Sequence, residues 1–317
     1  MNHDEITTAS LAIAATAAAD KPTVALALGA GGAKGLAHIG VIEELEAQGF
    51  EIVAIAGSSM GALIGGIHAM GKLDVYRDWV CALARFDVLR LLDWTFSGGG
   101  LIKGERIIDT LRSLIGDIRI EELPLAFTAV ATDLDREREV WLTRGSLFDA
   151  IRASIAVPTV FRPHRLDGRR LVDGALLNPV PVTPLIGVRA DFLLAVSIDG
   201  PSEAAVPVAP VAREPVDENS YRHRIGEFIT RLMPGGESQP RTPGTLDTLA
   251  QAMDLMQANL SRLRLAAYEP DLLIELPRNI ASVYEFYRAR ELIERGRLQA
   301  RAALTDWPRS TAPLRSP

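Results

Sequence analysis

Five residues, Gly57-Ser58-Ser59-Met60-Gly61, have the types and spacing of a serine nucleophile held on a sharp turn. An apolar run, Ile52 to Ala56, precedes them, and a helix-like stretch, Ala62 to Met70, follows. Strand, turn and helix in that order would strain the backbone at Ser59 and expose its hydroxyl. Side chains at positions 57 and 61 would collide with the neighbouring strand and helix, which explains both glycines. The positive helix N-terminus behind the serine could steady developing negative charge. A short G-x-S-x-G match also arises by chance, as a small-residue turn, so the rest of the chain must decide.

A serine hydroxyl needs a base. Five histidines are present: His3, His38, His68, His164 and His223. His38 and His68 lie within helical stretches and read as packed or capping residues. His164, in a turn, is the histidine that could complete a triad. The other candidate is Asp173, in Asp173-Gly174-Ala175-Leu176-Leu177-Asn178-Pro179. The hairpin around Arg165 to Val172 already has its tip at Asp167-Gly168, so Asp173-Gly174 is not needed as a turn. Gly174 would let the chain pass close to another backbone, and Asn178 and Pro179 would brace the loop.

A second loop could hold the developing oxyanion. Thr23 to Leu28 reads as a buried strand and runs into Gly29-Ala30-Gly31-Gly32-Ala33-Lys34-Gly35. A dinucleotide fingerprint fails here because Lys34 stands where the third glycine should be. A phosphate-binding P-loop fails because Gly35, not Ser or Thr, follows Lys34. What remains is a row of unhindered N–H groups at a helix N-terminus, suited to an anion or an oxyanion. A plain strand-to-helix turn is the competing reading.

The elements that position these loops follow a β-α-β-α order, which predicts a parallel sheet covered by helices. Further strands are expected at Leu125–Ala131, Glu139–Thr143, Phe192–Ile198 and Leu272–Leu276. Further helices are expected at Leu73–Leu83, Lys103–Ile115, Leu147–Ser154, Thr245–Leu265 and Val283–Arg301. On the helix from Thr245, Leu246, Leu249, Met253, Met256, Leu260 and Leu263 recur at steps of three and four. The expectation is that this stripe packs on the domain; a dimer seam or a lipid-facing stripe is the alternative. Ser97 to Gly100 reads as a joint at a cleft rim. Residues 1–21 read as an N-terminal tail, too acidic at its start for a secretion signal. Residues 22–317 read as one domain, with a linker or flap at about 200–244 and a helix-strand-helix completing the fold.

Composition excludes several classes. With 317 residues and 48% hydrophobic content the chain can bury a large core. A formal net charge of −6 argues against nucleic acid as a partner. The one cysteine, Cys81, excludes a disulfide framework and is compatible with a cytoplasmic setting. No histidine pair has the spacing of a zinc helix, and no metal or cofactor is expected.

Three blocks together resemble the patatin-like phospholipases, especially their bacterial members: Gly31-Gly32-Ala33-Lys34-Gly35, the turn around Ser59, and Asp173-Gly174 with Asn178 and Pro179. Arg152-Ala153-Ser154 through Pro158 and Phe161, and the closing segment Pro270 to Gly296, also look like family blocks. The resemblance runs from about Val24 to Asp199 and resumes near the end. It departs at Ala30, where the family often has a third glycine. It implies a three-layer α/β/α fold around a central, mostly parallel sheet. It implies a Ser–Asp dyad without histidine, with Ser59 as nucleophile and Asp173 as general base. Gly31 and Gly32, with Ala33, would line the oxyanion hole, and Lys34, Gly57, Gly61 and Gly174 would support it. The implied reaction is hydrolysis of phospholipid, lysophospholipid or simpler acyl esters through an acyl-enzyme. Arg309 and Arg315 could serve peripheral membrane contact, though solvation is the simpler reading. The alternatives are a regulatory or adaptor protein acting through residues 200–244, which an intact Ser59 and Asp173 argue against, and a nucleotide-binding protein.

Overall fold

A computed structural model describes residues 21–84, 87–88, 103–158, 160–203 and 245–307. The expected tail, the joint at 97–100, most of the expected flap at 200–244, and Arg309 and Arg315 lie outside them. The chain divides into two compact units, residues 1–202 with 257–317, and residues 203–256. Of the second, the structure describes residue 203 and the first half of the helix Thr245–Ala267.

The first unit is a three-layer α/β/α structure on a mostly parallel mixed sheet. Its centre is β1 (Thr23–Leu28), flanked by β2 (Glu51–Ser58) and β7 (Phe192–Gly200), with β8 (Leu272–Pro277) beyond β7, all parallel. On the far side of β2 lies β3 (Ala126–Asp133), also parallel, followed by antiparallel β4 (Arg138–Leu142) and the hairpin β5 (His164–Leu166) and β6 (Arg169–Asp173). Asp167 and Gly168 both have positive φ at the hairpin tip, the conformation that two-residue turns favour.

Alternation along the strands separates the two faces. Val24, Leu26, Leu28, Ile52 and Ile55 join the large core with α1 (Ala37–Ala47), α2 (Met60–Ala69) and α7 (Ala289–Asp306). The opposite face is made of alanines: Ala25, Ala27, Ala54 and Ala56 pack with Val180, Val182, Leu185 and Leu193. The remaining helices are α3 (Leu73–Ala82), α4 (Glu105–Ile115), α5 (Leu147–Ser154) and α6 (Thr245–Ala267). Helices α1 and α7 cross on reciprocal glycines. A Cβ on Gly40 would lie 1.9 Å from Ile293 O, and one on Gly296 1.9 Å from Ala37 O. Arg301 clamps the same pair of helices through the buried Glu44 carboxylate at 2.8 Å.

Two expectations are corrected. The apolar stripe of α6 is only partly packed: beyond residue 256, Leu260 is half-buried and Leu263 exposed, whereas Ala258 and Ser261 are buried and Leu265 packs on the alanine face. The closing helix begins at Ala289 rather than Val283. Glu285 draws its own turn tight by accepting from Ser282 N–H at 2.8 Å, and the Val283 carbonyl is taken by Ala33 N–H at 2.9 Å.

Candidate active site

The pairing of β3 decides which loops meet. Along residues 129–133 one flank of β3 is occupied by β4. The other flank is shared: β2 runs up it as far as Ser58, opposite Val130, and β6 runs down it as far as Asp173, opposite Ala131. The two strands therefore meet end to end, at adjacent positions of β3 about 3.3 Å apart. Both chains must turn out of the sheet there. They do so at Ser59 and Gly174, residues 115 positions apart (174 − 59) in the sequence. On the other side of β2, the register Leu28↔Gly57 brings the glycine loop after β1 beside the same point. This is the carboxyl end of the parallel strands, where open α/β sheets place their sites.

The turn at Ser59 has φ 54° and ψ −121°, a left-handed conformation that a residue with a side chain adopts at a cost. Both flanking glycines are required by contact. A Cβ on Gly57 would lie 2.3 Å from Gly61 C, and one on Gly61 2.0 Å from Leu28 O. Gly174 does pass close to another backbone, with Val130 O 2.2 Å from where its Cβ would stand.

Buried hydroxyls pin this junction. Ser58 Oγ donates to Asn178 O at 2.6 Å, tying β2 to the Asp173 loop. Ser154 Oγ, at the end of α5, donates to Val130 O at 2.6 Å and accepts from Ser59 N–H at 3.0 Å. Asn178 braces the loop as expected: Nδ2 donates to Glu139 Oε1 at 2.8 Å and Thr183 Oγ1 at 3.1 Å. Pro179 O accepts from Ala30 N–H at 2.9 Å, which joins the Asp173 loop to the glycine loop. Sequence reasoning did not find the roles of Ser58 and Ser154. Ser154→Ala would strip the buried Ser59 N–H of its Ser154 partner and remove one bond to Val130 O. A loss of about 1–3 kcal/mol in urea unfolding is expected, with a fall in kcat and little change in KM. Wild-type kcat in a destabilised Ser154→Ala protein would show that the bond holds the fold alone.

Asp173 is 2% exposed. Its Oδ1 accepts from Ala175 N–H at 2.8 Å, while Oδ2 is buried without a formed hydrogen bond. Burial pushes its carboxyl up to about 7, and the adjacent Ser59 hydroxyl and the Ala175 N–H draw it back only in part. A carboxylate with that value is a far better base near neutral pH than one at 3.8.

In the glycine loop, Gly29 N–H donates to Val196 O at 3.0 Å and Ala33 N–H to Val283 O at 2.9 Å. Ala33 is therefore engaged by the C-terminal segment, and the oxyanion reading narrows to Gly31 and Gly32. Gly32 has φ 56°, and a Cβ there would meet Val283. Lys34 is 8% exposed and donates to Arg278 O at 3.3 Å, with Asp199 Oδ1 4.0 Å away, so it fastens the loop to the strands beyond. His38 is fully buried, with Nε2 2.7 Å from Gly29 O; a carbonyl only accepts, so Nε2 bears the proton. Burial lowers this imidazole to about 4 and keeps it neutral.

His164 pairs across the hairpin with Leu171. Burial lowers its pKa, and the charges that act on it are those of Arg152, Asp149, Glu105 and Arg112. Its Nε2 is buried without a hydrogen-bond partner among the described residues. Burial likewise lowers His68, 3.8 Å from Glu46. His3 and His223 lie outside the described residues. Among the described residues no cluster of three or more His, Cys, Asp or Glu side chains could hold a metal ion, and no helix is long and apolar enough to cross a membrane.

Comparison with known proteins gives a consistent set of likenesses. The family model for patatin-like phospholipases matches residues 26–186. An uncharacterized NTE family protein of Mycobacterium tuberculosis is 40% identical over 329 residues, covering 89% of this chain and 91% of its own length. The neuropathy target esterase sws of Drosophila melanogaster is 27% identical over 183 residues, 56% of this chain. The lysophospholipase nte1 of Emericella nidulans is 29% identical over 183 residues, 55% of this chain. The match spans 13% and 12% of those last two proteins.

Proposed function

The chain belongs to the patatin-like phospholipase family, and from that premise we propose that it is an acyl-ester hydrolase working through Ser59 and Asp173. Relatives named as an esterase and a lysophospholipase support lipid esters as the substrate class. The observation that carries the reading is the end-to-end meeting of β2 and β6, which sets a strained serine beside a buried carboxyl poised near neutrality.

In this mechanism Asp173 takes the proton of Ser59 Oγ as that oxygen attacks the ester carbonyl. The carbonyl oxygen, now negative, accepts from the Gly31 and Gly32 N–H groups, with the N-terminus of α2 behind it. Asp173 then returns the proton to the departing alkoxide, which leaves an acyl group on Ser59. Water attacks the acyl-enzyme with Asp173 again as base, releasing the fatty acid and restoring the hydroxyl. One amide donor to such an oxyanion is worth about 100–1,000-fold in rate. The Asp173 loop and the glycine loop are joined through Pro179 O, so base and oxyanion donors keep a fixed spacing.

A fluorophosphonate probe tests the assignment. Wild type is expected to label and Ser59→Ala to stay unlabelled. Hydrolysis of a panel of phospholipids, lysophospholipids and p-nitrophenyl esters is expected to vanish in the same variant. Equal labelling of both proteins would remove Ser59 from the mechanism.

A further inference from the structure

The C-terminal segment that reaches the glycine loop has a feature the mechanism leaves unused. Ala33 N–H donates to Val283 O at 2.9 Å, and Val283 Cβ stands 2.8 Å from where a Cβ on Gly32 would be. That approach is possible only because residue 32 is glycine. The turn that presents Val283 is built to hold its shape. The Glu285 carboxylate accepts from Ser282 N–H, the Tyr287 hydroxyl and the Arg288 guanidinium, each at 2.8 Å. Ile280 is buried at its base. At its crown, Val283 and Tyr284 keep 36% and 64% of their surface exposed.

A lone exposed tyrosine on a protein surface needs no explanation. Two adjacent apolar residues, held rigidly against the loop that would receive the substrate's carbonyl oxygen, do. We propose that Val283 and Tyr284 form the first part of a subsite for the acyl chain of the substrate. The inference rests on the reading of Gly31 and Gly32 as oxyanion donors. A carbonyl seated on those donors has its first methylenes within a few bond lengths of the loop, and Val283 is the side chain packed there. The cation of the loop, Lys34, is buried against Arg278 O and Asp199. With Lys34 so engaged, Val283 and Tyr284 offer apolar surface beside the loop, which suits a hydrocarbon chain better than a phosphate headgroup. Each methylene taken out of water is worth about fourfold in binding, so contact with two or three predicts a strong dependence on chain length.

The test is kcat/KM for p-nitrophenyl acetate and p-nitrophenyl octanoate, in wild type, Tyr284→Ser, Tyr284→Phe and the Val283→Ser/Tyr284→Ser double variant. The octanoate-to-acetate ratio is expected to fall about tenfold in the double variant, by a smaller factor in Tyr284→Ser, and to hold in Tyr284→Phe, which keeps the ring. The Val283 carbonyl survives these changes, and thermal melting checks that the fold does too. A ratio within about twofold of wild type in the folded double variant overturns the subsite while Ser59-dependent acetate hydrolysis leaves the dyad standing. Loss of the ratio in Tyr284→Phe overturns it as well, since the hydroxyl and not the ring would then be responsible. Absence of any Ser59-dependent hydrolysis in wild type overturns both.

Discussion

Asp173→Asn is expected to abolish ester hydrolysis and, at pH 8, to make the folded protein harder to unfold. Both effects have one origin. Burial raises the Asp173 carboxyl from 3.8 to about 7. A carboxyl whose value is higher in the folded state is favoured by folding when protonated. Its contribution is fully present below pH 3.8 and is lost as pH rises from there through about 7. Above 7 the native protein holds an ionised carboxylate where it is least welcome. Three units correspond to roughly 4 kcal/mol as a ceiling. Asparagine does not titrate, so the stability gap between variant and wild type should open between pH 4 and 7 and then level off. For a chain of this size each kcal/mol moves the melting temperature by about 2–4 °C, so several degrees are at stake. Equal melting temperatures at pH 5 and pH 8 would show that Asp173 is not held at a raised value. The same ionisation governs rate: kcat/KM of wild type should climb about tenfold per pH unit up to about 7 and then flatten. Tuning the proposed base by burial would thus cost stability.

Much of this was legible in the sequence, and what was not shares a cause. Gly57 and Ser59 announce a strained turn because short-range sterics dictate those residue types: a Cβ on Gly57 would strike Gly61 itself. Asp167-Gly168 announces a hairpin tip for the same reason, and that freed Asp173-Gly174 for another task. The β-α-β-α order is a pattern of periodicities, visible without any contact. By contrast, Ser154 binds the Ser59 amide across 95 residues, and Ser58 binds Asn178 across 120. A serine at the end of a short helix gives no local sign of such a partner. Val283 reads as the start of the closing helix from the sequence alone. Its carbonyl is committed instead to a loop 250 residues earlier (283 − 33). The α6 stripe misled for a different reason. Periodicity reveals that one side of a helix is apolar but not which residues meet the sheet: Leu265, outside the stripe, packs on the alanine face while Leu263 is exposed.

Gly61→Ala is expected to destabilise the protein by about 3 kcal/mol or more, a large part of the 5–15 kcal/mol that holds an ordinary fold. The added methyl would stand 2.0 Å from Leu28 O, 2.5 Å from Leu28 C and 2.9 Å from Gly29 O. All three are backbone atoms at the end of the central strand, so no rotamer change relieves the clash. Helix α2 would have to lift away from β1, and it would move Ser59 relative to the glycine loop as it did so. A displacement of about 1 Å at a reacting centre can cost about 100-fold in rate, so fluorophosphonate labelling should slow by a comparable factor in whatever protein still folds. Gly71→Ala supplies the control. Gly71 has φ 68° but nothing within 4 Å of its would-be Cβ, so the same methyl there meets only the left-handed backbone penalty of about 1–2 kcal/mol. If urea unfolding found the two variants alike and labelling unchanged, close approach would not be what position 61 demands. If Gly61→Ala alone loses both stability and labelling, the glycine is the point at which the packing of helix on strand sets the distance between nucleophile and oxyanion donors.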